Sequence, residues 1–285
     1  MTWQMVGAAG DTGVETCGLP PARAVDPRLE TPGATAFTIA TLVTDEAQYA
    51  AMRSSFAAGG FSGPDCEYLF IDNRPQGSSF LKADAYRGLN AMLAAARGDI
   101  VILCHQDVRL LADGRAALEA RLAGLTERDA GWALAGNAGG IGVGRLALRI
   151  SDPHGRDQIR GTLPARVQSL DENFIVVRRA AGVAFSGDLA GFHFYGADIC
   201  QAARVLGWHS YVIDFHLEHL SPGRKDASFV RAATAFRAKW QRALAPRWVQ
   251  TTCALVRLSG DRLGDLAGRM TAGPLSAIAR RMGLR

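Results

Sequence analysis

I-V-I-L-C-H-Q-D, residues Ile100 to Asp107, is the stretch whose reading decides the fold. Five consecutive apolar residues, Ile100 to Cys104, suit a strand covered on both faces, where polar and apolar side chains do not alternate. His105 and Asp107 then emerge at its carboxyl end, the edge at which open α/β sheets bind ligands. A hard divalent cation prefers carboxylate oxygens to imidazole, which makes Asp107 the better ligand and His105 the auxiliary one. On the residues of this octapeptide alone, Asp107 capping a turn serves equally well.

Working outward, Phe37 to Val43 and Tyr68 to Asp72 read as strands. A helix is expected from Phe80 to Arg97, because Leu81, Ala85, Leu89, Met92, Leu93 and Ala96 keep one apolar face, with Ser78 or Ser79 as N-cap. Strand, helix and strand in so short a span make a βαβ unit with parallel strands. Trp132 to Gly136 and Phe174 to Val177 are further short strands. G-N-A-G-G-I-G-V-G, Gly136 to Gly144, is followed by strand-like L-A-L-R-I rather than a helix start, so a dinucleotide site is discarded and a mobile loop expected. Ile199, Ala202, Ala203 and Leu206 share a helical face that stops at Gly207, ahead of a strand from Tyr211 to Asp214.

At 285 residues and 48% hydrophobic content, the chain suits one large α/β domain with appendages, or two small domains. No apolar stretch is long enough to span a bilayer and Met1 to Gly18 lacks a signal-peptide layout, so the cytoplasm is the expected compartment. Five scattered cysteines without a C-x-x-C pair argue against a disulfide framework and a zinc site. Residues 224–285 hold 13 Lys/Arg against 3 Asp/Glu, a balance of +10. With +5 overall, the first 223 residues therefore carry −5. Leu275, Ile278, Ala279 and Met282 fall at helical spacing beside Arg280, Arg281 and Arg285. Two readings stay open for them: a helix resting on anionic lipid at the inner face of the membrane, or one packing its apolar stripe on the main domain. The basic residues are not interleaved with aromatics, so nucleic acid is not an expected partner. The division expected is a flexible leader over 1–34, a core over 35–223 and a basic helical extension over 224–285.

Six motifs follow one another in the core: D-N-R-P (Asp72 to Pro75), A-Y-R-G-L-N (Ala85 to Asn90), H-Q-D-V (His105 to Val108), L-D-E-N-F-I-V-V-R-R (Leu170 to Arg179), F-H-F-Y-G-A-D-I-C (Phe192 to Cys200) and H-L-S-P-G (His219 to Gly223). Their order and spacing resemble a GT-A fold glycosyltransferase of the family-2 superfamily, and most of all its streptomycin-biosynthesis-type (glycosyltransferase-2-like) subgroup. The resemblance covers Phe37 to Gly223. It implies an α/β, nucleotide-diphospho-sugar transferase fold with a mostly parallel central sheet flanked by helices, followed here by the C-terminal helical extension. It also implies an inverting, metal-dependent transfer of a sugar from a nucleoside diphosphate donor to a saccharide or small-molecule acceptor. The alternative is a non-catalytic relative that only binds the nucleotide sugar.

The resemblance assigns roles residue by residue. Asp107 matches the last acid of the family's D-x-D motif, His105 replaces the first, and His219 stands where a histidine completes the shell of a divalent cation, Mn²⁺ or Mg²⁺. Thr44, Asp45, Asp72, Asn73 and Arg87 fall at nucleotide-binding positions, Arg87 standing where the subgroup has Asn. The family's E-D-x-D segment, which supplies the base, reads Tyr195, Gly196, Ala197, Asp198, so the usual base position is a glycine. Asp198, His193 and Glu172 are the remaining candidates for deprotonating the acceptor hydroxyl.

Overall fold

The computed structural model describes residues 36–75, 82–223 and 226–282. The expected leader over 1–34 and the N-cap candidates Ser78 and Ser79 lie outside them. The chain opens with β1 (Phe37–Val43), α1 (Glu46–Ala58), β2 (Cys66–Asp72), α2 (Ala85–Ala95) and β3 (Ile100–Cys104). β1 pairs in parallel with both β2 and β3, so the expected βαβ unit of β2, α2 and β3 has parallel strands and crosses over β1, while α1 between β1 and β2 adds a crossover that the sequence reading did not include. α2 is shorter than the expected Phe80–Arg97: the Asp84 side chain accepts from the backbone N–H of Arg87 at 3.1 Å and caps its start, and Ala96 leaves the helix with ψ 134°.

β4 (Val108–Leu110), α3 (Arg115–Arg128) and β5 (Trp132–Gly136) follow. Next come β6 (Ala138–Gly142), β7 (Arg145–Asp152), β8 (Gly155–Arg160), β9 (Ala165–Val167), β10 (Ser169–Leu170) and β11 (Phe174–Arg178). α4 (Tyr195–Val205), β12 (His209–Val212) and β13 (Leu217–His219) complete the core. β12 thus starts and ends two residues before the expected Tyr211–Asp214. The extension comprises α5 (Ala227–Leu244), a hairpin of β14 (Arg247–Gln250) and β15 (Leu255–Leu258), and α6 (Arg262–Arg281), so it is not purely helical.

The main sheet has the order β2-β1-β3-β11-β5-β12-β9. Its pairings leave β2, β1, β3, β5 and β12 running one way and β11 and β9 the other, a mostly parallel sheet. Alternate residues of β3 feed two cores. Val101 and Leu103 join Tyr86, Leu89 and Ile199 beneath α2 and α4. Ile102 and Cys104 join Met52, Phe56 and Leu118 beneath α1 and α3. This two-sided burial is why the strand reads as an unbroken apolar run.

The Gly-rich segment expected to be a mobile loop is β6, held between β10 and β7 in a second sheet of order β10-β6-β7-β13-β4, with β8 on β7. A side chain at Gly139 would run into the Ser169 carbonyl. Glycine here permits close strand approach rather than mobility. Among the described residues, no helix is long and apolar enough to cross a membrane.

Candidate metal and nucleotide site

β3 ends at Cys104, and the backbone N–H of His105 donates to the Asn173 carbonyl at 3.0 Å, turning the chain toward the second sheet. There β4 pairs antiparallel with β13, with Val108 opposite His219, and this register brings His219 beside Asp107. His105 Nδ1 lies 3.3 Å from His219 Nε2, His219 Nε2 3.4 Å from Asp107 Oδ1, and His105 Nδ1 3.9 Å from Asp107 Oδ1. Two ligands about 2.1 Å from one ion and 90–110° apart would be separated by about 3.0–3.4 Å. The three side chains therefore fit a single divalent cation with little movement, and they are the residues assigned that role above.

Their charge states suit the same purpose. Burial alone would push the Asp107 carboxyl up, but hydrogen bonds from His219 and Ser221 and the attraction of the His219 imidazole hold it well below the usual carboxylate range. Burial, reinforced by His219, pushes His105 below its ordinary value and keeps it neutral. His219 goes the other way: burial lowers it, but the Asp107 carboxylate outweighs burial and raises it. The set thus offers one carboxylate and two imidazoles, ligands that a divalent cation accepts together.

Tyr195, the first residue of α4, was not singled out in the sequence. Its hydroxyl lies 3.1 Å from the Glu172 carbonyl and 2.7 Å from His105 Nε2. A carbonyl only accepts, so the phenol donates to Glu172 and must accept from His105 Nε2–H. That places the His105 lone pair on Nδ1, the nitrogen facing Asp107 and His219. Tyr86 and Phe185 fix the ring, with centroids at 6.3 and 5.9 Å.

The base candidates separate. Asp198 is 0% exposed, and its carboxylate accepts from Ser186 N–H at 2.8 Å, Ser186 Oγ at 2.7 Å and Trp240 Nε1 at 3.0 Å. Asp198 thus clasps α4 to the Ser186 segment and to α5, with its carboxylate engaged by three donors. His193 Nε2 lies 3.1 Å from Ser228 Oγ and its ring packs on Phe229, which ties it to α5. Glu172 remains, one residue from the Asn173 carbonyl that His105 bonds. Burial and then the neighbouring Asp171 charge push its carboxyl up to about 8, against the backbone N–H groups of Gly196, Tyr195 and Phe194 that favour its ionised form. Gly196 has no room for an acid, because a Cβ there would run into the Leu170 carbonyl and press on Glu172 Cγ at 3.2 Å.

Four of the five nucleotide candidates gather on the carboxyl edge of β1 and β2. Gln106, between the two metal-site residues of its loop, accepts from Thr44 N at 2.8 Å and Asp45 N at 2.9 Å and donates to Thr44 Oγ1 at 2.8 Å. Asp45 also caps α1 through Gln48 N at 3.0 Å. Asp72 is buried and held by both Arg74 Nε and Nη2 at 2.9 Å. Asn73 clasps the backbone of Ala83 with two hydrogen bonds of 2.8 and 3.0 Å. Arg87 is apart from them, exposed on α2. Beside His219, a cavity of about 400 Å³ lies between the β7–β8 turn, with His154 and Arg156, and Glu218 to Leu220.

No family model matches the chain. Among solved structures, the mannosyltransferase PcManGT from Pyrobaculum calidifontis, in complex with GDP-Man and Mn²⁺, superposes with a TM-score of 0.50 at 14% identity, over 74% of this chain and 66% of that one. TarS 1-349 of S. aureus in complex with UDP-GlcNAc gives 0.46 at 11% identity, over 68% and 61%. The fold is accordingly of the GT-A type, as the motif order implied. In sequence, the chain is 38% identical over 230 residues to the "ATP synthase subunits region ORF 6" protein of Fuscovulum blasticum, a match that takes in 79% of this chain and 91% of that one, and it belongs to the family of that protein.

Proposed function

We propose that the chain is a metal-dependent, inverting glycosyltransferase that moves a sugar from a nucleoside diphosphate donor to a saccharide or small-molecule acceptor. The observation that carries this reading is the convergence of His105, Asp107 and His219 at the carboxyl edge of β3, next to the Thr44–Asp45 and Asp72–Asn73 edges of a GT-A fold. A divalent cation held by the three side chains would supply positive charge against the diphosphate as it leaves. Two imidazoles with one carboxylate suit Mn²⁺ better than Mg²⁺, which prefers an all-oxygen shell.

The chain's own residues do the rest. Tyr195 holds His105 in the tautomer that presents Nδ1. Asp72 and Asn73 line the edge where the nucleoside lies, with Arg74 holding the Asp72 carboxylate in place. Glu172 takes the proton of the acceptor hydroxyl as its oxygen attacks the anomeric carbon from the side opposite the diphosphate. A carboxyl raised toward neutrality is the stronger base once ionised.

A second reading, a relative that binds the nucleotide sugar without turning it over, is favoured by Gly196 and by the saturated Asp198. One panel tests both. Thermal shift of the protein with UDP or GDP, with and without Mn²⁺, reports metal-dependent nucleotide binding, since ligands of the native state raise its stability. The expected result is a shift that needs both components and is lost in Asp107→Ala. An unchanged shift in that variant overturns the site. Binding without donor hydrolysis or transfer selects the second reading.

A further inference from the structure

α6 has two faces with different surroundings. On one, Gly264 and Gly268 lie against β15 and the turn before the helix: a Cβ at Gly268 would meet Arg257 Cβ at 2.6 Å, and one at Gly264 would meet the Ser259 and Asp261 side chains. The opposite face carries Leu263, Leu266 and Met270. At 100° per residue these fall within an arc of about 60°. They are 80%, 55% and 71% exposed. Arg262 and Arg269 border the arc. Beyond Pro274, Leu275, Ile278 and Met282 are exposed as well. The sequence left open whether the apolar stripe of this helix packs on the protein. In the structure the small residues pack and the large ones face out.

We propose that this outward face of α6 lies in the plane of an anionic lipid surface. So many large apolar side chains in one short region mark a contact site. Charge selects the occupant. Residues 224–285 carry a balance of +10, so the same face of a second copy would be repelled where an anionic bilayer attracts. The geometry is that of an interfacial helix, with an apolar face bordered along one side by Arg262 and Arg269 and, among the described residues, no helix long and apolar enough to span.

The test is co-sedimentation of the full chain with phosphatidylcholine vesicles with and without phosphatidylglycerol. Binding is expected to need phosphatidylglycerol and to weaken with salt. Leu263→Gln/Leu266→Gln/Met270→Gln should abolish it. Arg262→Gln and Arg269→Gln should each lower partitioning about five-fold, or about 25-fold together. The arginine pair is a second probe that leaves the apolar face intact, and all five side chains are exposed, so melting of the core should not move. Three results each overturn the proposal: no sedimentation of the unaltered chain with phosphatidylglycerol vesicles, equal sedimentation with phosphatidylcholine alone, or a concentration-dependent dimer that the triple substitution dissolves.

Discussion

Asp107, at the carboxyl edge of β3, and Asp198, in the first turn of α4, are both buried aspartates, yet their surroundings differ in kind. Asp198 is met by three donors that have no other task, a backbone N–H, a hydroxyl and an indole. Asp107 is met by His219 and approached by His105, groups that are metal ligands in their own right. The first arrangement is complete without a ligand. The second presents three ligand atoms to one point that a cation could occupy. Burial of an acid therefore says little about function until its partners are known.

The largest expected effect sharpens the comparison by adding a third carboxylate. Glu172→Gln should cut turnover by roughly 10²–10⁴-fold while leaving donor affinity little changed. Because burial and Asp171 raise this carboxyl to about 8, it is protonated and inactive as a base well below that pH. Activity should rise with pH through this region, and the limb should vanish in the variant. A flat profile in the unaltered protein would move the role elsewhere.

Next in size is Asp198→Ala, which strands Ser186 N–H, Ser186 Oγ and Trp240 Nε1. A loss of about 3–5 kcal/mol is expected, read from urea unfolding midpoints. Mn²⁺ affinity of the folded fraction should be unchanged. A stable variant without activity would break the comparison by making Asp198 chemical after all.

The smallest effect concerns the support of the metal site. Tyr195→Phe removes the acceptor for His105 Nε2–H and should weaken Mn²⁺ binding by about 10–100-fold, measured by titration calorimetry without nucleotide. Tyr86→Phe is the control, since that hydroxyl donates to the His193 carbonyl at 3.0 Å and leaves the imidazole untouched. Equal affinities in both variants would reduce Tyr195 to a packing residue.

How much of this was legible follows from the range of each signal. β3, β5 and β11 are readable because burial on both faces leaves unbroken apolar runs, and β1 reads as a strand although Thr38 and Thr41 interrupt its apolar residues. His105, Asp107 and His219 were reached through the motif order, although only the antiparallel register of β4 and β13 brings His219 to the other two. Tyr195 was passed over because its segment was read for acids, and its partner stands 90 residues away. The partners of Asp198 were not legible, because Ser186 and Trp240 come from a loop and from another helix, which no local pattern announces. β6 was misread because a glycine strand shows no alternation, and its reason, a close carbonyl on β10, exists only in three dimensions.

Gln106 ties these edges into one rigid unit. Its amide occupies the N–H groups of Thr44 and Asp45, while its neighbours in sequence are the two metal-site residues of the β3 loop. The loop that would meet the nucleotide and the loop that would meet the cation cannot move independently without breaking three hydrogen bonds. Thermodynamic linkage then makes the traffic symmetrical: by whatever factor a cation tightens the nucleotide, the nucleotide tightens the cation. If both ligands bind as proposed, loading order would be a matter of concentration rather than of architecture, and the Gln106 amide would be a physical link between the two loops.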